Sequence, residues 1–144
     1  MMLQTLLHPR FIFRSQIARA SSIRLYSGAV TDEATRRFHE VADIRMHTLL
    51  DDFDAIGEKV DYAGFDVVYS NGVLTFNTGV SGTYVINKQP PNKQIWLSSP
   101  ISGPKRFDHI DGEWIDSKKT DKLEHLLEGE IKAIFKGIDV SITK

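Results

Sequence analysis

An α+β fold is what this sequence predicts: a two-layer sandwich with two helices packed on one face of a six-stranded, largely antiparallel sheet. Three observations predict it. A long one-sided helical pattern opens the acidic part of the chain, a second helical pattern closes it, and six short β-rich runs joined by tight-turn dipeptides lie between. Helices that are apolar on one side only must bury those sides, and one sheet face can cover both. The other sheet face is then left to solvent or to a partner.

The first helix is expected over 32–58. Thr31 can cap it, Asp32 and Glu33 suit the positive end of the helix dipole, and Gly57 lies near its end. At 100° per residue Phe38, Ala42, Met46, Leu49, Phe53 and Ile56 fall within an arc of about 80°, which makes the core face. Glu40, Asp43, His47, Asp51, Asp54 and Glu58 occupy a second arc of about 80°, roughly opposite.

The strands are expected over 65–70, 73–77, 83–87, 94–98, 107–110 and 113–116. Asn71-Gly72 and Asp111-Gly112 are suited to two-residue hairpin turns, where both positions need positive φ. Pro90-Pro91-Asn92 signals the turn between the third and fourth strands. The second helix is expected over 122–136. Asp121 with Glu124 resembles a capping box, and Leu123, Leu126, Leu127, Ile131, Ile134 and Phe135 form its apolar stripe.

Charge divides the chain of 144 residues in two. Its net charge of −1 conceals a head, 1–31, with Arg10, Arg14, Arg19 and Arg24 and no acid. Setting those four arginines aside leaves 14 Lys and Arg against 19 Asp and Glu, a net of −5 for 32–144. Spaced arginines, serines at 15, 21 and 22, and missing acids read as a mitochondrial transit peptide over 1–26. The motif Arg24-Leu25-Tyr26-Ser27 suits cleavage after Tyr26 by a matrix protease. The folded domain is expected over 30–144. Apolar runs in the head reach only three residues, too few for a membrane span, and neither a membrane nor a nucleic acid is the expected partner.

The chain contains no cysteine, which excludes disulfides, zinc ribbons and a thiolate-held iron–sulfur cluster. Any metal must sit on carboxylates, carbonyls, imidazole or water. The acidic arc supplies such ligands: carboxylates at i, i+3 and i+4 are surface neighbours able to share a cation, and a cation relieves their mutual repulsion. His47 adds a nitrogen to that arc. Exposed and flexible, these groups would hold a metal weakly and exchangeably. Strand alternation supplies a second candidate. Ile95 and Leu97 share one face, and Gln94, Trp96 and Ser98 share the other, which sets an indole on the helix-free surface as an anchor for a partner. Trp114, directly after a hairpin turn, is expected to be a packing residue. His39, His109 and His125 lack metal-ligand spacing. No nucleophile elbow, Walker loop or Rossmann glycine pattern is present.

Residues 82–108, GTYVINKQPPNKQIWLSSPISGPKRFD, resemble the central signature of frataxins. The order of acidic helix, six strands and second helix extends that resemblance over the expected domain. The resemblance implies a frataxin-like fold, location in the mitochondrial matrix and binding of ferrous and ferric iron. It also implies partnership with cysteine desulfurase and its scaffold protein in iron–sulfur cluster assembly. Glu40, Asp43, Asp51, Asp54 and Glu58 match the family's acidic ridge, and Asp66 matches a further acid on the first strand. Ile44 and His47 stand at ridge positions that are often acidic, and Gly64 stands where some members carry an acid. Asn87, Gln89, Lys93 and Gln94 match family positions on the Trp96 surface, and Arg106 matches a basic position beyond it. A monomer that forms oligomers with iron is implied. A ferroxidase that stores iron as an oligomer is the alternative activity.

Overall fold

The computed structural model describes residues 27–144, with side chains from residue 33 onward. The segment expected to be a transit peptide, 1–26, lies outside the described residues. The elements run α1 (Ser27–Gly57), β1 (Phe65–Ser70), β2 (Val73–Thr78), β3 (Thr83–Gln89), β4 (Gln94–Ser99), β5 (Gly103–Ile110), β6 (Glu113–Asp116) and α2 (Leu123–Ile134). The six strands form one sheet in chain order, antiparallel throughout. Among the described residues, no helix is long and apolar enough to cross a membrane.

The hairpins close where their turn chemistry allows. Asn71 and Gly72 sit at φ 51° and 78°, and Asp111 and Gly112 at 50° and 85°, the left-handed pair that matches strand twist. The third-to-fourth strand turn places Lys93 rather than Asn92 in the left-handed region, at φ 53°. β5 begins four residues earlier than expected, at Gly103. Pro104 is tolerated there because β6 pairs no further along β5 than Phe107, so no ladder bond is lost for want of its N–H.

One strand face and both helices enclose the core. All six residues of the expected α1 stripe are buried, as are Leu74, Phe76, Tyr84, Ile86, Ile95, Leu97 and Phe107 from the sheet. Trp114 is buried against the Phe38 ring at 6.3 Å and confirms its packing role. From α2 the core takes Leu123, Leu127, Ile131 and Phe135, while Leu126 and Ile134 are only half-buried.

Both expected helix starts are corrected. α1 extends back to Ser27, so Thr31 lies inside the helix and Asp32 and Glu33 are beyond its first turn. No proline interrupts the upstream residues, and a nucleated helix propagates through them. α2 has Lys122 at its N-cap, extended at φ −101° and ψ 145°, with no side-chain cap. Lys122 bridges to Ile115 of β6, and the Asp121 carboxylate accepts the Lys122 N–H at 2.9 Å. Glu124 turns inward instead of closing a box, and lies 3.0 Å from Arg45 on α1.

The segment after α2 binds back between the helices. Val140 and Ile142 are buried. Thr143 donates its N–H and hydroxyl to Asp52 at 2.8 Å each, and its carbonyl accepts from Arg45 at 2.6 Å. Lys59 donates to the Asp139 carbonyl at 2.9 Å.

Candidate functional site

Periodicity fixes the acidic stripe on α1, and packing decides which of its members are free. The core face turns inward, and Glu40, His47, Asp51, Asp54 and Glu58 are exposed while Asp43 is half-buried. Near the N-terminal end the charge is internally compensated. Arg36 pairs with Glu40 and with Glu33, and Arg37 pairs with Glu33. Hydrogen bonds from Arg36 and then Arg37 hold the Glu33 carboxyl at about 2. Asp43 pairs with Lys88, a β3 residue on the helix side of the sheet. Among the described residues, no basic side chain pairs with Asp51, Asp54 or Glu58. The uncompensated carboxylates therefore lie along the C-terminal half of α1 and at Glu58 in the turn directly after it.

His47 is oriented within this stripe. Its Nδ1 lies 2.8 Å from the Asp43 carbonyl, and its ring meets Tyr69 edge-on at 5.2 Å. A carbonyl only accepts, so that contact places a proton on Nδ1 and leaves Nε2 free as a ligand in the neutral ring. Among the described residues, no three His, Asp or Glu side chains converge on one metal position. The stripe offers adjacent groups on an open surface. Asp66 is not brought into it. Phe65, Val67 and Tyr69 pack toward the core, and Asp66 alternates onto the helix-free face of β1.

The helix-free face carries the second constellation. Cross-strand pairing aligns Asn87, Trp96 and Arg106 in one row and Gln89, Gln94 and Asp108 in the next. Trp96 is half-buried. Its Nε1–H donates to the Gln94 side-chain oxygen at 2.9 Å, and Gln94 donates its amide to Asp108 at 2.8 Å. The Ser117 hydroxyl donates to the other Asp108 oxygen at 3.0 Å. The Arg106 guanidinium lies 4.6 Å from the Trp96 ring centroid, within cation–π range. A cavity of about 610 Å³ opens beside the indole, with Asn87, Ser98, Lys105, Arg106 and Lys118 in its lining. Lys105 and Lys118 were not anticipated. Lys105, paired with Leu97, alternates to the helix side of β5 and only borders the cavity, whereas the end of β6 at Asp116 brings Lys118 to the Arg106 side. Lys93 is exposed in the turn that precedes Gln94.

The frataxin-like domain family matches residues 31–137. The mitochondrial frataxin homolog of Saccharomyces cerevisiae is 48% identical over 101 residues, 69% of this chain and 58% of the relative. The mitochondrial frataxin of Caenorhabditis elegans is 43% identical over 136 residues, 92% of this chain and 91% of that protein. The match thus spans little more than half of the yeast relative and nearly all of the nematode one. A crystal structure of trimeric yeast frataxin in a ferrous complex superposes with a TM-score of 0.61 at 47% identity. That superposition covers 66% of this chain and 85% of the other.

Proposed function

The chain belongs to the frataxin-like domain family, and on that premise we propose that it is an iron-binding assembly factor of the mitochondrial matrix. In this role it activates a complex of cysteine desulfurase and scaffold protein for iron–sulfur cluster assembly. The observation that carries the metal part is the run Asp51, Asp54 and Glu58, exposed along one face of α1 and the turn that follows it, without basic partners. Hard cations favour such oxygen ligands, and Nε2 of His47 adds a nitrogen suited to iron. Binding on an open helix face is weak and exchangeable, as delivery rather than storage requires. The relatives named as mitochondrial and the ferrous complex of the yeast protein support the same reading.

The docking part rests on Trp96. An indole held by Gln94 and covered by Arg106 is a preorganised anchor. Arg106 and Lys118 beside it suit a partner that presents acidic groups. Activation then works by population shift: the bound chain favours the partner conformation competent for sulfur transfer and does no chemistry itself.

A desulfurase assay with and without this chain, and with and without ferrous iron, tests the reading. Stimulated sulfide production is expected, and its absence in all conditions overturns it. The Asp51→Asn/Asp54→Asn double variant is expected to bind ferrous iron several-fold more weakly with its fold intact, and an unchanged calorimetric titration refutes the stripe. The trimeric state of the yeast relative favours a second reading, an oligomeric ferroxidase that stores iron. Oxygen consumption with ferrous iron discriminates the two. Dinuclear oxidation normally uses inward-facing, convergent ligands, and the open stripe ranks this reading second.

A further inference from the structure

β1 is an edge strand with an unusual lack of protection. It pairs only with β2. Around the two-residue turn, Ser70, Val68 and Asp66 face Val73, Thr75 and Asn77 in the hydrogen-bonded register, so the N–H and C=O groups of Val67 and Tyr69 point outward. The Phe65 N–H, which also points outward, is taken by the Tyr62 carbonyl at 3.0 Å. Among the described residues, no strand pairs with Val67 or Tyr69 on that side. The strand sequence FDVVYS contains no lysine, proline or bulge against edge-to-edge association, and its one charge, Asp66, lies near one end and not at the centre. Val68, at its centre, is 48% exposed.

What stands beside this edge is the acidic stripe. α1 runs along β1. His47 meets Tyr69 at one end, and at the other a Cβ on Gly57 would lie 2.5 Å from the Phe65 ring. Arg45 and Asp52 face the C-terminal segment, and His47 and Asp54 lie about 200° around the helix from them, on the β1 side. Asp51, Asp54 and Glu58 thus line the open edge. Two copies approaching edge to edge would bring two such rows together, with net repulsion.

The edge is also self-complementary. With a two-fold axis through the centre of β1, Val67 faces Tyr69 of the second copy and the pair exchanges N–H···O bonds, twice over. Val68 then lies opposite Val68 of the second copy, and the Ser70 hydroxyl opposite the Asp66 carboxylate that can accept from it. Val67 against Tyr69 is a favourable β-branched–aromatic pair. Sliding two residues, the next register that keeps the same hydrogen-bonding parity, sets Asp66 against Val68 and loses this match.

We propose that the carboxylates of Asp51, Asp54 and Glu58 guard the β1 edge, and that neutralising them lets β1 pair with β1 of a second copy in a two-fold dimer with a continuous sheet. A cation on the stripe would act in the same direction, but the proposal does not depend on iron, because substitution neutralises the same groups.

The test is sedimentation of the full chain at low ionic strength. The wild type is expected at monomer mass, and the Asp51→Asn/Asp54→Asn/Glu58→Gln variant at twice that mass. Adding Val68→Lys, which sets like charges opposite each other at an exposed position, is expected to restore the monomer. Amide exchange at Val67 and Tyr69 is expected to slow about tenfold or more in the dimer only. A triple variant that stays monomeric, forms trimers, or associates regardless of Val68→Lys overturns the proposal. A parallel ferrous titration of the wild type separates the two ideas. No iron binding would overturn the metal reading and leave the edge to be decided by the substitution series.

Discussion

Trp96 shows how a single side chain acquires a role from its neighbours. Half-buried on the helix-free face, it is fixed by a relay in which Ser117 and Gln94 both donate to Asp108, and Gln94 accepts the indole N–H. Trp96→Ala is expected to abolish stimulation of the desulfurase complex while changing stability by about 1 kcal/mol or less, as read by urea denaturation. A larger stability loss would make Trp96 a core residue. Asp116 behaves differently. It is buried at the end of β6, where a hydrogen bond from the Thr120 hydroxyl, then one from the Lys118 N–H, lowers its carboxyl below the ordinary 3.8. A carboxyl depressed in the folded state contributes stability above its unfolded value, and that stability is lost as pH falls through the folded value. Stability is therefore expected to drop below about pH 4, and Asp116→Asn to show a shallower acid limb in pH-dependent melting.

At the scale of elements, the two helices are joined less by apolar contact alone than by what lies between them. Arg45 on α1 and Glu124 on α2 are both largely buried, with side chains 12% and 7% exposed, and Arg45 also binds the Thr143 carbonyl. Removing one partner leaves the other charge buried without compensation. Glu124→Ala is expected to cost about 3 kcal/mol in chemical denaturation, and Arg45→Leu/Glu124→Leu together to recover most of that loss. The C-terminal segment seals the same seam with Val140 and Ile142. Ile142→Ala is expected to cost about 2–4 kcal/mol, measurable as a lowered denaturation midpoint.

The whole molecule is electrically divided. Asp51, Asp54 and Glu58 line one edge of the slab, and Arg106 and Lys118 flank the cavity on the helix-free sheet face. Such an arrangement orients an approaching partner and attracts cations to the stripe. Exposed charges are screened within about 8 Å at physiological ionic strength. Ferrous affinity is therefore expected to fall several-fold between 10 and roughly 150 mM salt, whereas binding at a buried, convergent site would change little. Calorimetric titration across that range decides between the two.

The fold class, the strand order and the helix faces were legible in the sequence because they follow from local rules. The 3.6-residue spacing of Phe38 through Ile56 assigns one side of α1 to the core, and Asn71-Gly72 and Asp111-Gly112 supply the positive φ that their turns require. The candidate ridge was legible as a row of acids, but not its electrical state. That state depends on Lys88, forty-five residues away, reaching Asp43 and on no basic residue reaching Asp51, Asp54 or Glu58. Asp66 was grouped with the ridge by resemblance, and strand alternation sets it on the other face. Local patterns placed Asp121 at a cap, whereas the bridge from Ile115 to Lys122 and the charge of Arg45 took the cap residues for tertiary contacts. The packed tail, with Val140 and Ile142 buried, was not anticipated, because where it packs is a long-range matter. Spacing along a chain determines which groups share a face, because backbone geometry is local. Which faces meet, and therefore which charges remain free, was decided by contacts between residues far apart in sequence, and only the tertiary structure contains those.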